Sequence, residues 1–231
     1  MAIEYVNGVQ NYNTNYATSI AAPAVNHTAG NLIVVIATSG YGDTTNITQI
    51  TDTAGNTYVR ITGAYDSSNT NNIEIWYAKN ITGNANNIVT ILYNLSRGKR
   101  SIHVLQYSGC DTTAPLDQSA VGTGPSSTTV ITADITTTTA DEVLVAGDVL
   151  SIPQTHTAGA GYTIRTIYGG SEPSKGDTED KIVSSIGTYN ASYSLGANAG
   201  WAIVMATFKA AAAGGLSIPV AMNHYRRMRE S

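Results

Sequence analysis

The chain has 231 residues, enough for one large domain or two fused small ones, and enough to bury a sizeable core. Only 12% of residues are charged, about half the usual share, and the net charge is −4, so there is no basic field to hold a nucleic-acid backbone. Thr, Asn, Ser and Gly replace the missing charge, with 14 Tyr against one Phe; this composition excludes a helical bundle and a Rossmann-type enzyme.

Residues 1–16 are polar and Tyr-rich, and read as an N-terminal arm or an edge strand. They contain neither a basic n-region nor an apolar h-region, so no classical secretory signal is expected. Strand signals then follow in close succession at Thr18–Ala24, Leu32–Thr38, Thr57–Thr62, Ile73–Lys79, Asn87–Tyr93 and Ser101–Ser108. They continue at Thr128–Ile135, Glu142–Leu150, Tyr162–Tyr168, Asp180–Gly187, Ala191–Leu195 and Gly200–Lys209. Clusters such as Ser39-Gly40-Tyr41-Gly42-Asp43 and Thr82-Gly83-Asn84-Ala85-Asn86 separate them as turns. Many short strands at this spacing predict an all-β fold, an antiparallel, jelly-roll-like sandwich over residues 17–210. The longest apolar run, Leu32–Ala37, is far too short to span a bilayer, and no membrane partner is expected.

A weak internal repeat runs through this domain. Thr28-Ala29-Gly30-Asn31-Leu32-Ile33-Val34-Val35 resembles Thr139-Ala140-Asp141-Glu142-Val143-Leu144-Val145-Ala146. Gly55 and Tyr58 match Gly159 and Tyr162, and Val104 and Tyr107 match Met205 and Phe208, in the same order along the chain. The expectation is one sandwich from two similar halves, because the join at Ala114–Ser127 offers little linker. Residues 211–231 form a hinge and a basic, amphipathic C-terminal tail. Val220, Met222, Tyr225 and Met228 fall on one side of a short helix after Pro219, and Arg226, Arg227 and Arg229 supply the charge for docking on an acidic protein surface.

Few residues carry a chemical signal. Cys110 is the single cysteine, so no intrachain disulfide forms, and the four His do not sit at metal-ligand spacing. Five Asn-x-Ser/Thr sequons, at Asn26, Asn46, Asn80, Asn94 and Asn190, imply no glycosylation without a signal peptide. The segment Glu172–Asp180 gathers carboxylates that could work as acid and base in a glycosidase. A solvated loop with Lys175 and Lys181 as charge partners is the preferred reading. Asp52-Thr53-Ala54-Gly55-Asn56 has oxygen ligands for calcium but reads better as a hairpin turn. Trp76 and Trp201 with the tyrosines could form a sugar-stacking platform, although Trp201 reads as core and His103 as a wall residue of a strand.

Asp52–Tyr58, Ile75–Ile81, Gln106–Gly109, Ala114–Asp117, Glu179–Val183, Trp201 and Ala206–Lys209 together resemble a β-sandwich module of bacterial surface and phage structural proteins. With arms at both ends and no signal, the chain is similar to tailed-bacteriophage capsid decoration (cement) proteins. The resemblance implies a structural protein of the outer virion surface, made in the host cytoplasm. Its partner would be the major capsid protein and it would form a homo-oligomer, with a trimer favoured. It implies no catalytic residue, no cofactor and no metal. The alternative is a carbohydrate-binding or host-adhesion module of a phage tail or baseplate.

Overall fold

A computed structural model describes residues 2–40, 47–66, 71–166 and 176–212. Within these residues the chain forms antiparallel strands and no helix. The first set comprises β1 (Glu4–Asn13), β2 (Ala17–Ala21), β3 (Val25–His27), β4 (Leu32–Gly40), β5 (Ile47–Asp52), β6 (Val59–Asp66), β7 (Asn71–Ala78), β8 (Asn84–Asn87), β9 (Val89–Arg97) and β10 (Arg100–Ser108). The second comprises β11 (Leu116–Ile131), β12 (Ile135–Thr136), β13 (Glu142–Leu150), β14 (His156–Ala158), β15 (Thr163–Thr166), β16 (Thr178–Val183), β17 (Thr188–Tyr189) and β18 (Ser192–Lys209).

Two large sheets form the centre, one in the order β1-β10-β4-β7-β6 and the other β11-β18-β13-β16-β15. They meet face to face over one apolar core. Leu32, Val34, Ile36, Ile73, Ile75 and Leu105 come from the first sheet, and Val143, Val145, Val149, Val204, Ala206 and Phe208 from the second. β1 lies against β15, and β6 against β11. The outer face of each large sheet is also covered. Ile33, Val35 and Val104 of the first pack on Ile20, Ile50 and Ile91 of the small β2-β9-β5 sheet. Leu144, Ile203 and Met205 of the second pack on Val130, Ala191 and Tyr193, where β11 and β18 bend outward. β4 and β13 are therefore buried along all nine residues. That is why their sequences read as continuous apolar runs, where a half-exposed strand would alternate.

The two sets share a pairing scheme. Each pair β1·β10, β10·β4, β4·β7, β6·β7 and β3·β8 has a counterpart in β11·β18, β18·β13, β13·β16, β15·β16 and β12·β17. The bulge in β6 between Arg60 and Thr62 recurs in β15 between Ile164 and Thr166. Gly30 and Asp141, which enter β4 and β13, both take positive φ, +82° and +56°. Asp is one of the few residues with a side chain that accepts this region. At Gly147 an added Cβ would stand 2.8 Å from Ile36 Cδ1, so this glycine lets the two large sheets approach closely.

Several elements differ from the sequence expectation. Of the two readings offered for residues 1–16, Glu4–Asn13 takes the edge strand: it is β1, hydrogen-bonded along β10. Leu116–Ser127, in the join where no strand was expected before Thr128, forms the first part of β11. An edge strand pairs on one side only and tolerates a proline such as Pro125. The two stretches expected at Ala191–Leu195 and Gly200–Lys209 are one bent strand, β18. The tail residues Val220, Met222, Tyr225, Arg226, Arg227, Met228 and Arg229 lie outside the described residues.

Candidate functional site

Buried charge gathers on one strand. Glu179 and Asp180 are neighbours on β16, so their side chains leave on opposite faces of the sheet. Glu179 points outward: its Oε2 accepts the Gly159 N–H at 3.0 Å, and Oε1 finds no partner among the described residues. Burial pushes its carboxyl up to about 8, against the pull of the Gly159 and Ser192 amides. Asp180 points into the central core, where the Tyr107 hydroxyl donates to it at 2.8 Å and Arg165 Nε at 2.8 Å. The Arg165 guanidinium also stacks on Tyr5, 4.1 Å from the ring centre. Two carboxyls on opposite faces cannot flank one bond of a substrate, so Glu179 and Asp180 do not form an acid–base pair with each other. The solvated-loop reading also fails for Asp177–Asp180, which are all buried. Lys181 meets the Ala160 carbonyl and the rings of Tyr162 and Tyr189. Glu172 and Lys175 lie outside the described residues.

His156 is held at both ring nitrogens. Nε2 donates to Asp148 Oδ2 at 2.8 Å and Nδ1 to Asp177 Oδ2 at 3.1 Å. Burial alone would lower its pKa, but the two carboxylates overcome it and push the imidazole up to about 10. With both nitrogens engaged, the ring is a charged clip joining β13, β14 and the entry to β16, and it has no free nitrogen to act as a base. His103 is fully buried; Nδ1 contacts Thr166 Oγ1 at 2.8 Å and burial lowers it to about 4.

The Asp52 segment closes as a turn. Its carboxylate accepts the backbone N–H of Ala54 and Asn56, the Asn56 and Asn87 amides and the Tyr58 hydroxyl. Burial opposes ionisation here, but these donors win and hold the carboxyl below its usual range. All of Asp52's oxygen capacity is used inside the protein. Trp76 and Trp201 are 8% and 6% exposed, which takes both indoles away from any sugar-stacking surface.

A groove lies at the corner where residues 2–3 and 210–211 come together. Ala2, Ile3, Asp141, Ile182, Val183, Ser184, Ala210 and Ala211 line a groove of about 430 Å³. The ends of the two large sheets cross beside it: Ala211 N–H donates to Gly109 O and Asp111 N–H to Lys209 O, around the Cys110–Ala210 bridge. No protein family model and no curated protein matches the chain. Sequence reasoning missed this groove because its lining comes from four separate stretches that only the crossing of β10 and β18 brings together. The one legible hint was the run of small residues after Lys209.

Proposed function

We propose that the chain is a structural virion protein, a capsid decoration (cement) protein of a tailed bacteriophage. It binds the outer capsid surface and stabilises it through interface and terminal contacts. The observation that carries this reading is the meeting of Ala2 and Ala211 at one groove, so that the basic segment with Arg226, Arg227 and Arg229 begins at a single corner. One-ended attachment leaves the Thr- and Asn-rich remainder facing solvent. It lets many modest contacts, repeated over a particle, add by multivalency. The partner is the major capsid protein and the working form a homo-oligomer, with a trimer favoured. The matched pairing schemes of β1–β10 and β11–β18 support a second part of the proposal, that the sandwich is built from two similar halves.

Quantitative mass spectrometry of purified virions tests the assignment. Hundreds of copies per particle are expected of a decoration protein on the order of the capsid lattice, and a handful would move the protein to the tail. Deleting residues 214–231 should lower its occupancy on virions; unchanged occupancy would remove the tail from the attachment mechanism. The rival glycan-binding module leaned on Trp76, Trp201 and the tyrosines, and the burial of both indoles takes two rings from it.

A further inference from the structure

His27 and His156 face opposite kinds of neighbour. His156 lies between two carboxylates, whereas His27, buried on β3, meets a donor: the Asn87 carboxamide nitrogen stands 2.8 Å from its Nδ1. The orientation of that buried carboxamide is fixed by its other contacts. Asn87 Nδ2 also donates to Asp52 Oδ2 at 2.9 Å, while Oδ1 accepts the Ala54 N–H at 3.1 Å and the Thr53 hydroxyl at 3.0 Å. Thr53 Oγ1 in turn accepts the Ile88 N–H at 3.1 Å. Asn87 therefore presents an N–H to the ring, and His27 Nδ1 must be a bare acceptor. Nε2, which has no partner, carries the ring's one hydrogen.

We propose that His27, Asn87 and Asp52 form an acid-released latch between the β3·β8 pair and the Asp52–Asn56 turn. A proton added at Nδ1 sets N–H against N–H. Turning the carboxamide over would satisfy the imidazolium, but it would set the Asn87 oxygen against the Asp52 carboxylate and its NH2 group against the Ala54 N–H. Either way a contact that joins the turn to β8 is lost. The neighbours on every side are accounted for. β8 brings no ionisable side chain, the end of β5 brings Asp52, and Tyr58 donates its hydroxyl to that same carboxylate. β1 and β10 reach the backbone beside His27 through the uncharged Asn7 and Gln106. Burial holds the imidazole below its ordinary 6.5, against the pull of Asp52. The unfolded chain thus takes the proton first as pH falls, and the latch's contribution, fully present above pH ~6.5, is lost progressively below it. Asp52, held below its usual range, stays ionised as this begins. The inference goes beyond the decoration reading and does not depend on it.

The test is NMR on the purified full chain. Ring nitrogen shifts at neutral pH should show His27 Nε2 protonated and Nδ1 bare; a protonated Nδ1 would overturn the proposal. Amide exchange, corrected for its intrinsic pH dependence, is then compared at pH ~7 and pH ~5 in the parent and in His27→Asn, whose Oδ1 replaces Nδ1 as an acceptor that takes no proton. Exchange at Ala54 and Ile88 should quicken about tenfold in the parent at the lower pH and hold steady in the variant. Equal responses in the two proteins, or none in either, would defeat it. If His27→Asn does not fold, the parent alone decides: the Ala54 and Ile88 response must share its midpoint with the His27 ring titration, and two separate midpoints refute the latch.

Discussion

β7 and β16 occupy the same place in their sheets, each between a fully buried central strand and a bulged edge strand, yet at two neighbouring positions their side chains are opposite in kind. Aligned through β4 and β13, Trp76 corresponds to Glu179, Tyr77 to Asp180 and, across the bulge, Ile61 to Arg165. Tyr107 on β10 likewise corresponds to Phe208 on β18, and Tyr5 to Leu116. One end of the inter-sheet core is therefore apolar, with Tyr77 and Phe208 ring centres 5.7 Å apart. The other has Tyr5 and Tyr107 at 5.8 Å, bound to an Asp–Arg pair. Strand pairing survives the exchange. The backbone scheme is thus set by hydrogen-bond register and volume, and buried charge is tolerated where each carboxylate has a donor or keeps its proton.

The charged end can be broken. His156→Gln should have the largest effect, because it leaves Asp148 and Asp177 buried without their cation; removing one partner of such a set costs about 3–5 kcal/mol. Denaturant midpoints at neutral pH measure this, and a loss under about 1 kcal/mol would mean the clip is not charged in the folded protein. Arg165→Met should cost about 3 kcal/mol, toward the low end, since the guanidinium keeps 24% exposure and water screens part of the pair. No equivalent loss is expected for Ile61→Met on the apolar side.

The same contrast appears in pH. Glu179 and His156 both bind protons more tightly in the folded protein, at about 8 and about 10. Their unfolded values are near ~4.3 and ~6.5. Stability therefore falls as pH rises, between the lower and upper value of each group, with both contributing between about 6.5 and 8. Glu179→Gln removes one of these terms. The variant should gain on the parent by about 4 kcal/mol between pH ~5 and pH ~9. Thermal midpoints across that range give the answer, and a parallel offset at all pH values would contradict it.

How much of this was legible in the sequence depends on where each residue's partner lies. The central strands were readable because Leu32–Ala37 and Glu142–Leu150 carry their own apolar signal. β5, with only Ile47 and Ile50 facing in, was too sparse to stand out, and the first part of β11 was hidden by the Gly, Ser and Pro125 of the join. The likeness of Thr28–Val35 to Thr139–Ala146 surfaced because in each a positive-φ residue, Gly30 or Asp141, leads into a fully buried strand. Charge on β16 read as a loop because composition says nothing of partners, and Asp180 finds its hydroxyl donor 73 positions away, on Tyr107.

The smallest expected effect is the most informative about that comparison. Replacing Tyr5, Tyr107, Arg165 and Asp180 together by Leu, Phe, Ile and Tyr writes the apolar end of the core into the charged one. Each incoming residue is the one found at the corresponding position, so the Tyr5–Tyr107 ring pair within one sheet gives way to the Tyr–Phe pair seen between the sheets at the other end. The desolvation of Arg165 and Asp180 disappears along with their attraction, and such exchanges are often neutral or stabilising. A gain of about 1 kcal/mol is expected, far from the sum of losses that the single changes would give. The four sites touch one another, so the coupling is the quantity to measure, by a cycle containing Arg165→Ile and Asp180→Tyr alone and combined. A fourfold variant that unfolds would mean that the charged pair specifies how the sheets seat on each other. One that folds with unchanged strand pairing would assign that task to the register alone.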